Sequence, residues 1–507
     1  MTRKVILAHD LGTSGDKACL FDTEGRFLAE AYYTYPTFYL GEGRYEHDPK
    51  AWWEAVKNSS REVVKNAGID PSEVKAISFS SHGMGAIPVD KNGKLLVDHV
   101  MIWNDARSTK EAAYILEKCG EREHYEKTGN SFDLALYPAA KILWIKRNMP
   151  EVYQNTYKFL STKEYLILQM TGKMGYTDYG EAGMSGLYNL KEHKWDEELL
   201  KTSEVDEEKL LIPVDGTKVM GELTTEAAEA MGLCSGTPVV LGSWDNYACA
   251  TGAGVRSGSM AVCLGTAGWI GVNHEQPIMT KDNMTNVVYV GNDTYFTSIH
   301  SHSAGASYDW IIKKMCSYLE SQEKPLAYAE KLASQIPAGS DKLFFLPSMF
   351  SGNTFYSSSS LAGSMLGMKV SQDNGHIIRA AMEGVGYDLM MGADLFREQG
   401  AMPQQCNLIG GGAHSKLWGE IIADMFESNM MRPKNLQYIG ALGAALFAGV
   451  GTGLFKDFQM ASEITRSDNI SVPNPEETAV YRKLLPVYKH FYEALLPVYK
   501  ELQDVRL

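Results

Sequence analysis

Two short glycine-containing turns carry the residue types best suited to phosphate chemistry. The first lies between two apolar runs, 5–8 and 18–21, which predict a hairpin of buried strands. In such a turn, glycines let backbone amides come close to a ligand, and hydroxyls and an ammonium supply further donors. These groups belong to Gly12, Thr13, Ser14, Gly15 and Lys17. The composition suits a phosphate group, although a tight turn that binds nothing has the same appearance.

A single carboxylate, Asp10, ends the strand before this turn. Magnesium prefers oxygen ligands, keeps several waters and uses few protein carboxylates, so one aspartate beside a phosphate-binding turn suits a phosphate-bound Mg²⁺. The alternative is an aspartate that only caps the turn.

The sequence pattern of the first turn is repeated later in the chain. The run Leu11 to Gly15 is repeated as Leu264 to Gly268, with Gly265 and Thr266 at the matching positions. Cys263 stands where the first copy has Asp10, so only the first copy could hold a metal. The repeat predicts a duplicated chain with a boundary near residue 250, and thus domains at 1–250 and 251–507.

A second acidic candidate follows the predicted strand 237–244. Asp245 and Asn246 come directly after it. A carboxylate at the end of a strand can accept the proton of an attacking hydroxyl if it lies within hydrogen-bond reach. The same pair could equally cap a helix.

Bulk properties narrow the class of protein. At 507 residues the chain is long enough for two or three domains, and its net charge of -14 argues against a nucleic-acid partner. The seven cysteines are scattered, without the spacing of a zinc site or a disulfide framework. No apolar run has the length of a membrane span or a signal peptide, so we expect a cytoplasmic protein with a small-molecule substrate.

Strand and helix patterns alternate along the chain, which predicts an α/β fold with helices covering the sheets. Asp48-Pro49 predicts the start of an amphipathic helix that extends to about Asn66, and a strand at 74–80 opens into the loop 81–85. The segment 406–418 predicts a strand, a triple glycine and a helix starting near Ser415. The small-residue run 440–449 predicts a packing helix, and the serine run 357–360 a mobile loop.

Three of these stretches, together with two further ones, resemble the FGGY carbohydrate kinases and occur in the order of that family. They are the turns at 10–14 and 264–268, the triple-glycine segment 410–418, and the two stretches 137–145 and 363–383. The resemblance implies two ribonuclease-H-like domains, as in actin and hexokinase, with an interdomain cleft. It implies ATP and Mg²⁺ as cofactors, with the sugar side and the first phosphate turn in 1–250 and the nucleotide side in 251–507.

The resemblance also implies roles for particular residues. Asp245 would be the catalytic base and Asp10 the metal residue. Phosphate contacts would come from the two turns, closing from opposite domains and excluding water. Gly305 resembles a nucleotide-contacting glycine, with a helix-packing contact as the alternative. The adenosine side would be formed by Gly411, Gly412 and Ala413.

For the sugar, the segment 103–107 resembles the W-N-D-x-R segment of xylulokinases. The sugar loop of the family, often S-G-Q-M-H-G or S-G-Q-M-M-G, departs here at two places, with His82 for Gln and Gly83 for Met. The G-E-R-T-P segment is also missing, and 349–354 occupies its region. The expected sugar-binding residues are His82, Gly83, Met84, Trp103, Asp105, Arg107, Asp245 and Asn246. The plain alternatives are a core position for Trp103 and a surface ion pair between Asp105 and Arg107.

The resemblance thus implies ATP-dependent phosphorylation of D-xylulose to D-xylulose 5-phosphate. Alternatives are another ketose or polyol, such as L-xylulose, ribulose or erythritol, or an actin-like ATPase that phosphorylates no sugar. The expected partners are a small sugar and ATP, without nucleic acid or membrane, and a homodimer is common among such kinases.

Overall fold

The computed structural model describes residues 3–41, 43–130, 133–280, 284–289, 294–349, 353–356, 361–434 and 436–505. The serine run 357–360 and part of the segment 349–354 lie outside this set. The chain forms two compact units, and each is built from segments that are not continuous in the sequence. The first runs to Gly254 and includes Glu275–Thr297 and Tyr438–Thr465, and the second includes Val255–His274, Ser298–Gln437 and the chain from Arg466. The single domain boundary near residue 250 stays a prediction from the sequence.

The strands of the described residues are numbered in chain order. They are β1 Val5–Leu11, β2 Gly15–Asp22, β3 Phe27–Thr34, β4 Phe38–Tyr39, β5 Tyr45–His47, β6 Val74–Ser81, β7 Ile87–Val89, β8 Val100–Met101, β9 Lys158–Leu160, β10 Tyr176–Asp178, β11 Tyr188–Asn189, β12 Lys194–Trp195, β13 Ile212–Val214, β14 Val219–Glu222, β15 Pro238–Val240, β16 Ser243–Trp244, β17 Met260–Leu264, β18 Gly268–His274, β19 Thr285–Val288, β20 Tyr295–Ser301, β21 Phe344–Leu346, β22 Ser364–Leu366, β23 Gln405–Ile409, β24 Asn429–Met431 and β25 Ile470–Ser471.

The α-helices are numbered in the same way. They are α1 Pro49–Ala67, α2 Thr109–Cys119, α3 Glu121–Thr128, α4 Pro138–Asn148, α5 Pro150–Asn155, α6 Thr162–Thr171, α7 Tyr179–Gly183, α8 Glu197–Thr202, α9 Thr225–Met231, α10 Asp245–Gly252, α11 Gly305–Trp310, α12 Pro325–Ala333, α13 Asn374–Glu398, α14 Lys416–Phe426, α15 Ile439–Gly451, α16 Met460–Thr465 and α17 Pro475–Asp504. Short 3₁₀ turns and one π turn, Ile311–Met315, link several of them.

The main sheet of the first unit has the order β14-β15-β6-β1-β2-β3, and β16 also pairs with β6. Strand β1 pairs antiparallel with β2 and parallel with β6, so the turn 12–14 closes the predicted hairpin. Because side chains alternate along a strand, β1 buries residues on both faces. Val5 and Leu7 join the core that includes α1, whereas Ile6 and Ala8 join the core that includes α15.

Helix α1 forms as its sequence signals predict. The carboxylate of Asp48 accepts the Lys50 N–H at 2.8 Å, Pro49 is the first helical residue, and Gly68 ends the helix with a left-handed φ of 61°. Trp52 and Val56 are buried in the core, as expected. The predicted helix is therefore confirmed, with its end one residue beyond Asn66.

In the sheet of the second unit, neighbouring strands follow the order β18-β17-β23-β24-β25. Strand β17 pairs antiparallel with β18, from Met260 with Val272 to Leu264 with Gly268, and parallel with β23. A hairpin whose first strand also pairs in parallel with a later strand thus occurs in both units.

Helices cover this second sheet. The long helix α13 is buried over most of its length and packs against α12, α14 and β21. Helix α17 is continuous through Pro486 and Pro497, and its tyrosines face the core: Tyr481, Tyr488 and Tyr492 are buried. Among the described residues, none of the helices combines the length and apolar character needed to cross a membrane.

Candidate active site

Asp245 is the first residue of α10, directly after the short strand β16. It is half-buried, and its Oδ1 accepts the Asn246 N–H at 2.7 Å. Burial raises the pKa of Asp245 to about 7, and the carboxylates of Asp10 and Glu181 add to the rise. A carboxyl group with a pKa near neutrality is well matched to accepting a proton at physiological pH.

Helix α10 is held in place by close packing against α15. A Cβ on Gly252 would come within 2.0 Å of the Ile439 carbonyl oxygen, and a Cβ on Gly443 within 1.9 Å of the Ala248 carbonyl oxygen. Only glycine permits this backbone approach. The run 440–449, predicted as a packing helix, therefore supports the element that carries Asp245.

Helix α15 also borders Asp10. A Cβ on Gly440 would lie 2.8 Å from Asp10 Oδ2, so this glycine leaves room for the carboxylate. On its other side, the Ser80 hydroxyl donates to Asp10 Oδ1 at 2.6 Å. Burial raises the pKa of Asp10, while Ser80 and the charge of Lys17, its cross-strand neighbour, oppose the rise. Sequence reasoning missed Gly440, because its run shows only small residues.

Glu181 is a further acidic residue that sequence reasoning missed. It is buried in α7, and burial raises its pKa to about 7, opposed by the charge of Lys163. The distance from Lys163 Nζ to Glu181 Oε2 is 3.6 Å, and the same ammonium lies 2.7 Å from Glu164 Oε1 and 3.3 Å from Asp178 Oδ2. The segment around Glu181 matches no motif, so nothing in the local sequence indicates a function for this residue.

The first turn is tied to the predicted sugar segment. The indole Nε1–H of Trp103 donates to Thr13 Oγ1 at 3.0 Å, and about a third of the Trp103 side chain is exposed. Within the turn, the Gly12 N–H donates to the Gly15 carbonyl at 3.0 Å, and the Tyr35 hydroxyl donates to the Gly12 carbonyl. Ser14 is exposed and Lys17 is partly buried. The structure therefore brings Thr13 and Trp103 together.

Asp105 and Arg107 form a partly buried ion pair rather than a free sugar-binding pair. Arg107 donates through Nε and Nη2 to the Asp105 carboxylate at 2.8 and 2.6 Å, and the Tyr45 N–H donates to it at 2.7 Å. Arg107 also lies 2.8 Å from Glu46. The Asp105 side chain has no exposed surface, so the predicted direct sugar contact would require this pair to open.

The imidazole of His82 is likewise turned into the protein interior. It is 3% exposed and packs edge-on against the rings of Trp52 and His47, and burial lowers its pKa to about 3. The backbone N–H of His82 donates to the Leu11 carbonyl at 2.9 Å. The contact of His82 with the sugar stays a prediction, and in this arrangement it would involve the backbone of the loop or the buried Nε2 atom. Gly83 and Met84 are also buried.

The loop 82–85 and the segment 103–107 each carry a buried polar atom that is unsatisfied. Within the described residues, His82 Nε2 and Asn104 Oδ1 have no hydrogen-bond partner. Because buried polar atoms are nearly always paired, each marks a position for water or for a hydroxylated ligand.

The predicted nucleotide-binding residues come together in the second unit. The Gly305 N–H donates to the Gly265 carbonyl at 2.8 Å, and the N–H groups of Ala304 and Ala306 both donate to the Thr266 carbonyl, at 3.0 and 3.1 Å. A Cβ on Gly410 would lie 2.6 Å from the Leu264 carbonyl carbon. The turn 265–267 is thus bordered by the start of α11 and by the triple glycine.

The triple glycine presents its members differently. Gly411 is exposed, with open space beside its Cα, whereas Gly412 packs against Leu264 and the Trp418 ring. Ala413 is fully buried, so its side chain has no surface to offer to adenosine. Helix α14 begins after Ser415, whose hydroxyl accepts the Trp418 N–H at 3.1 Å, as the sequence predicts.

Gly305→Ala is expected to raise the KM for ATP by about tenfold without changing the KM for the sugar. The added Cβ would lie 2.6 Å from the Gly265 carbonyl oxygen, so the turn 265–267 must move, and displacements of about 1 Å are costly to a preorganised site. Steady-state kinetics with each substrate varied in turn measures this. An equal rise in both KM values would show a general loss of structure instead.

A metal ligated mainly by protein side chains is not indicated. Among the residues described, there is no group of three or more histidine, cysteine, aspartate or glutamate side chains arranged to hold a metal ion. Asp10 nevertheless fits a magnesium ion held by one carboxylate with waters and phosphate oxygens, because its partly buried carboxylate lies just before the predicted phosphate turn. A cation there would also offset the mutual repulsion of Asp10 and Asp245.

Comparison with known proteins gives consistent matches over nearly the whole chain. Two models of the FGGY family of carbohydrate kinases match, the N-terminal domain at residues 5–252 and the C-terminal domain at 260–452. The xylulose kinase of Bacillus subtilis (strain 168) is 29% identical over 494 residues, 96% of this chain and 97% of that protein. The gluconokinase of the same organism is 28% identical over 491 residues, 95% of this chain and 94% of that protein.

Among solved structures, a ligand-bound xylulose kinase from Lactobacillus acidophilus matches with a TM-score of 0.89 and 28% identity, covering 98% of this chain and 100% of that one. This match confirms the predicted fold class, a mixed α/β chain with two sheet-rich domains of the actin and hexokinase type.

Proposed function

Because the chain belongs to the FGGY family of carbohydrate kinases, we propose that it transfers the γ-phosphoryl group of ATP to a neutral ketose, D-xylulose, forming D-xylulose 5-phosphate. The observation that carries this proposal is the placement of Asp245, a half-buried carboxyl group at the start of α10 whose pKa lies at about 7. In phosphoryl transfer the protein mainly positions the reactants and stabilises charge, and a positioned carboxylate accepts the proton of the attacking hydroxyl.

Each unit supplies a distinct part of this chemistry. In the first unit, the deprotonated Asp245 carboxylate accepts the proton of the sugar hydroxyl, and Asn246 holds the sugar. The turn 12–14 and Lys17 bind phosphate oxygens. Asp10 would hold Mg²⁺, which when bound neutralises phosphate charge. In the second unit, Gly265, Thr266 and Gly305 bind phosphate, and Gly411 and Gly412 border the adenosine.

Charge favours a neutral sugar over an aldonate such as gluconate. The carboxylates of Asp10 and Glu181 each act on Asp245 as like charges. Three nearby cations are already engaged: Lys163 lies among three carboxylates, Arg107 is paired with Asp105 and Glu46, and Lys141 is fully buried against backbone carbonyls. A bound carboxylate would therefore add a like charge to an acidic region, which is unfavourable in a partly desolvated site.

The sugar contacts groups that are partly exposed or that lack a hydrogen-bond partner within the protein. Trp103 offers a partly exposed apolar ring, held by its hydrogen bond to Thr13. The unsatisfied atoms of His82 and Asn104 mark positions where waters or sugar hydroxyls complete buried hydrogen bonds. The ion pair between Asp105 and Arg107 contributes indirectly, because it holds the segment 103–107 in place.

The test is ADP release with ATP, Mg²⁺ and a panel of acceptors. The panel contains D-xylulose, L-xylulose, D-ribulose, erythritol and D-gluconate, with a reaction lacking acceptor as the blank. We expect the highest kcat/KM with D-xylulose and little response to D-gluconate. A preference for gluconate would overturn the neutral-sugar proposal, and a preference for another ketose or polyol would replace D-xylulose. If ADP were released at the same rate with every acceptor as in the blank, the proposal that the chain phosphorylates one of these acceptors would be overturned.

A further inference from the structure

The loop 82–85 is held in an unusual backbone conformation by two buried charged side chains. Met84 has a φ of 58°, a left-handed value that residues other than glycine adopt at an energetic cost. Its N–H donates to Glu181 Oε1 at 2.7 Å, and its carbonyl accepts from Lys141 Nζ at 3.0 Å. Both backbone polar groups of this residue are thus bound by side chains from other segments, which compensates for the strained conformation.

Lys141 also binds the other predicted sugar segment. Its Nζ donates to the Ile102 carbonyl at 2.7 Å, directly before Trp103. The Lys141 side chain is fully buried in α4, and burial lowers its pKa to about 7. One ammonium group therefore joins the loop 82–85 to the segment 103–107.

Glu181 accounts for one departure of this loop from the family pattern. A Cβ on Gly83 would lie 2.5 Å from Glu181 Oε2 and 2.9 Å from Trp244 Cδ1. The space that a methionine side chain would enter is thus occupied by a carboxylate and an indole ring. The carboxylate cannot easily withdraw, because it accepts the Met84 N–H and lies beside the buried ammonium of Lys163.

From these contacts we infer that Glu181 and Lys141 are positioning residues that fix the loop 82–85 and thereby determine how tightly the sugar binds. The inference rests on the proposed function for its kinetic consequence, but the loop conformation can be measured without a sugar. Trp244, against which Gly83 packs, directly precedes Asp245. The loop therefore shares a boundary with the segment that carries the proposed base.

The first test compares Glu181→Leu, Glu181→Gln, Lys141→Met and Lys141→Arg with two exposed control variants, Glu192→Gln and Lys194→Met. We expect Glu181→Leu and Lys141→Met to raise the KM for the sugar by about tenfold or more and to leave the KM for ATP unchanged. Glu181→Gln should have the smaller effect, since its amide oxygen still accepts the Met84 N–H. The controls should match the wild type, because both side chains are more than half exposed.

A second measurement follows amide hydrogen exchange in the peptide spanning 82–85, without sugar. Loss of the Glu181 acceptor should speed exchange of the Met84 amide in Glu181→Leu and not in Glu192→Gln. Unchanged exchange in Glu181→Leu would overturn the inference even if the kinase activity is as proposed. Faster exchange in a chain that accepts no sugar would support the positioning of the loop and overturn the proposed function alone.

A double variant addresses the occupied space at position 83. Gly83→Ala should raise the KM for the sugar in the wild type, and should cost less in the Glu181→Ala background, where the carboxylate is absent. Additive effects of the two substitutions would contradict the direct contact between Gly83 and Glu181.

Discussion

Asp245→Asn is expected to reduce sugar-dependent ADP formation by about 10²- to 10⁴-fold, the range that a positioned general base contributes. The amide keeps the size of the side chain and can still accept the Asn246 N–H, but it cannot take a proton from the sugar hydroxyl. The KM values should change little, because binding contacts are retained. Coupled-enzyme kinetics at saturating sugar and ATP measures the loss in kcat.

Asp70→Asn is a matched control in the same unit. Asp70 caps a short turn on the surface, and asparagine caps as well as aspartate, so this variant should have wild-type activity. If Asp245→Asn kept more than about a tenth of the wild-type kcat, the assignment of Asp245 as the base would be wrong.

The wild-type pH profile provides a second readout of the same group. Burial and neighbouring carboxylates raise the pKa of Asp245 to about 7, and only the deprotonated form accepts a proton. The kcat/KM for the sugar should therefore fall by about tenfold per pH unit below pH 7 and level off above it. In Asp245→Asn this acid limb should disappear from the residual activity.

Asp10→Asn is expected to lower kcat by about 10²-fold and to raise the Mg²⁺ concentration needed for half-maximal activity. The substitution removes the negative charge that a phosphate-bound magnesium ion would face, while the amide can still accept the Ser80 hydroxyl. It also removes one of the charges that raise the pKa of Asp245, so the acid limb of the remaining activity should move to lower pH.

Glu30→Gln serves as the control, since it makes the same carboxylate-to-amide change at an exposed position of β3. Its Mg²⁺ titration should match that of the wild type. An unchanged Mg²⁺ requirement in Asp10→Asn would contradict the metal role, whereas an unchanged acid limb would contradict the electrostatic coupling of Asp10 and Asp245.

The local elements of the chemistry could be predicted because each is contiguous in sequence. The hairpin around 12–14, its echo at 265–267 and the helix that follows the triple glycine depend on turn residues, apolar runs and a capping serine within short stretches. The same stretches, in their order, sufficed to identify the family and the two-domain α/β fold, since motif order survives at identities near 29%.

Several individual roles could not be predicted because they depend on which distant side chain reaches a given atom. For Asp105 and Arg107 the sequence leaves sugar contact and a surface ion pair open, and Tyr45 and Glu46 complete a partly buried ion pair that leaves the Asp105 side chain without exposed surface. For His82 the sequence indicates a substrate contact but not which atoms are available, and the structure packs Trp52 and His47 against its ring while leaving Nε2 without a hydrogen-bond partner.

The sequence by itself therefore determined the fold class, the family and the positions of Asp10 and Asp245 at the ends of strands. Only the tertiary structure decided that Glu181 occupies the space beside Gly83, that Lys141 joins two loops, and that Gly440 makes room for Asp10. The physical reason is that turns and strand ends are set by neighbouring residues, whereas burial, pKa and loop conformation are set by groups that folding brings from far along the chain.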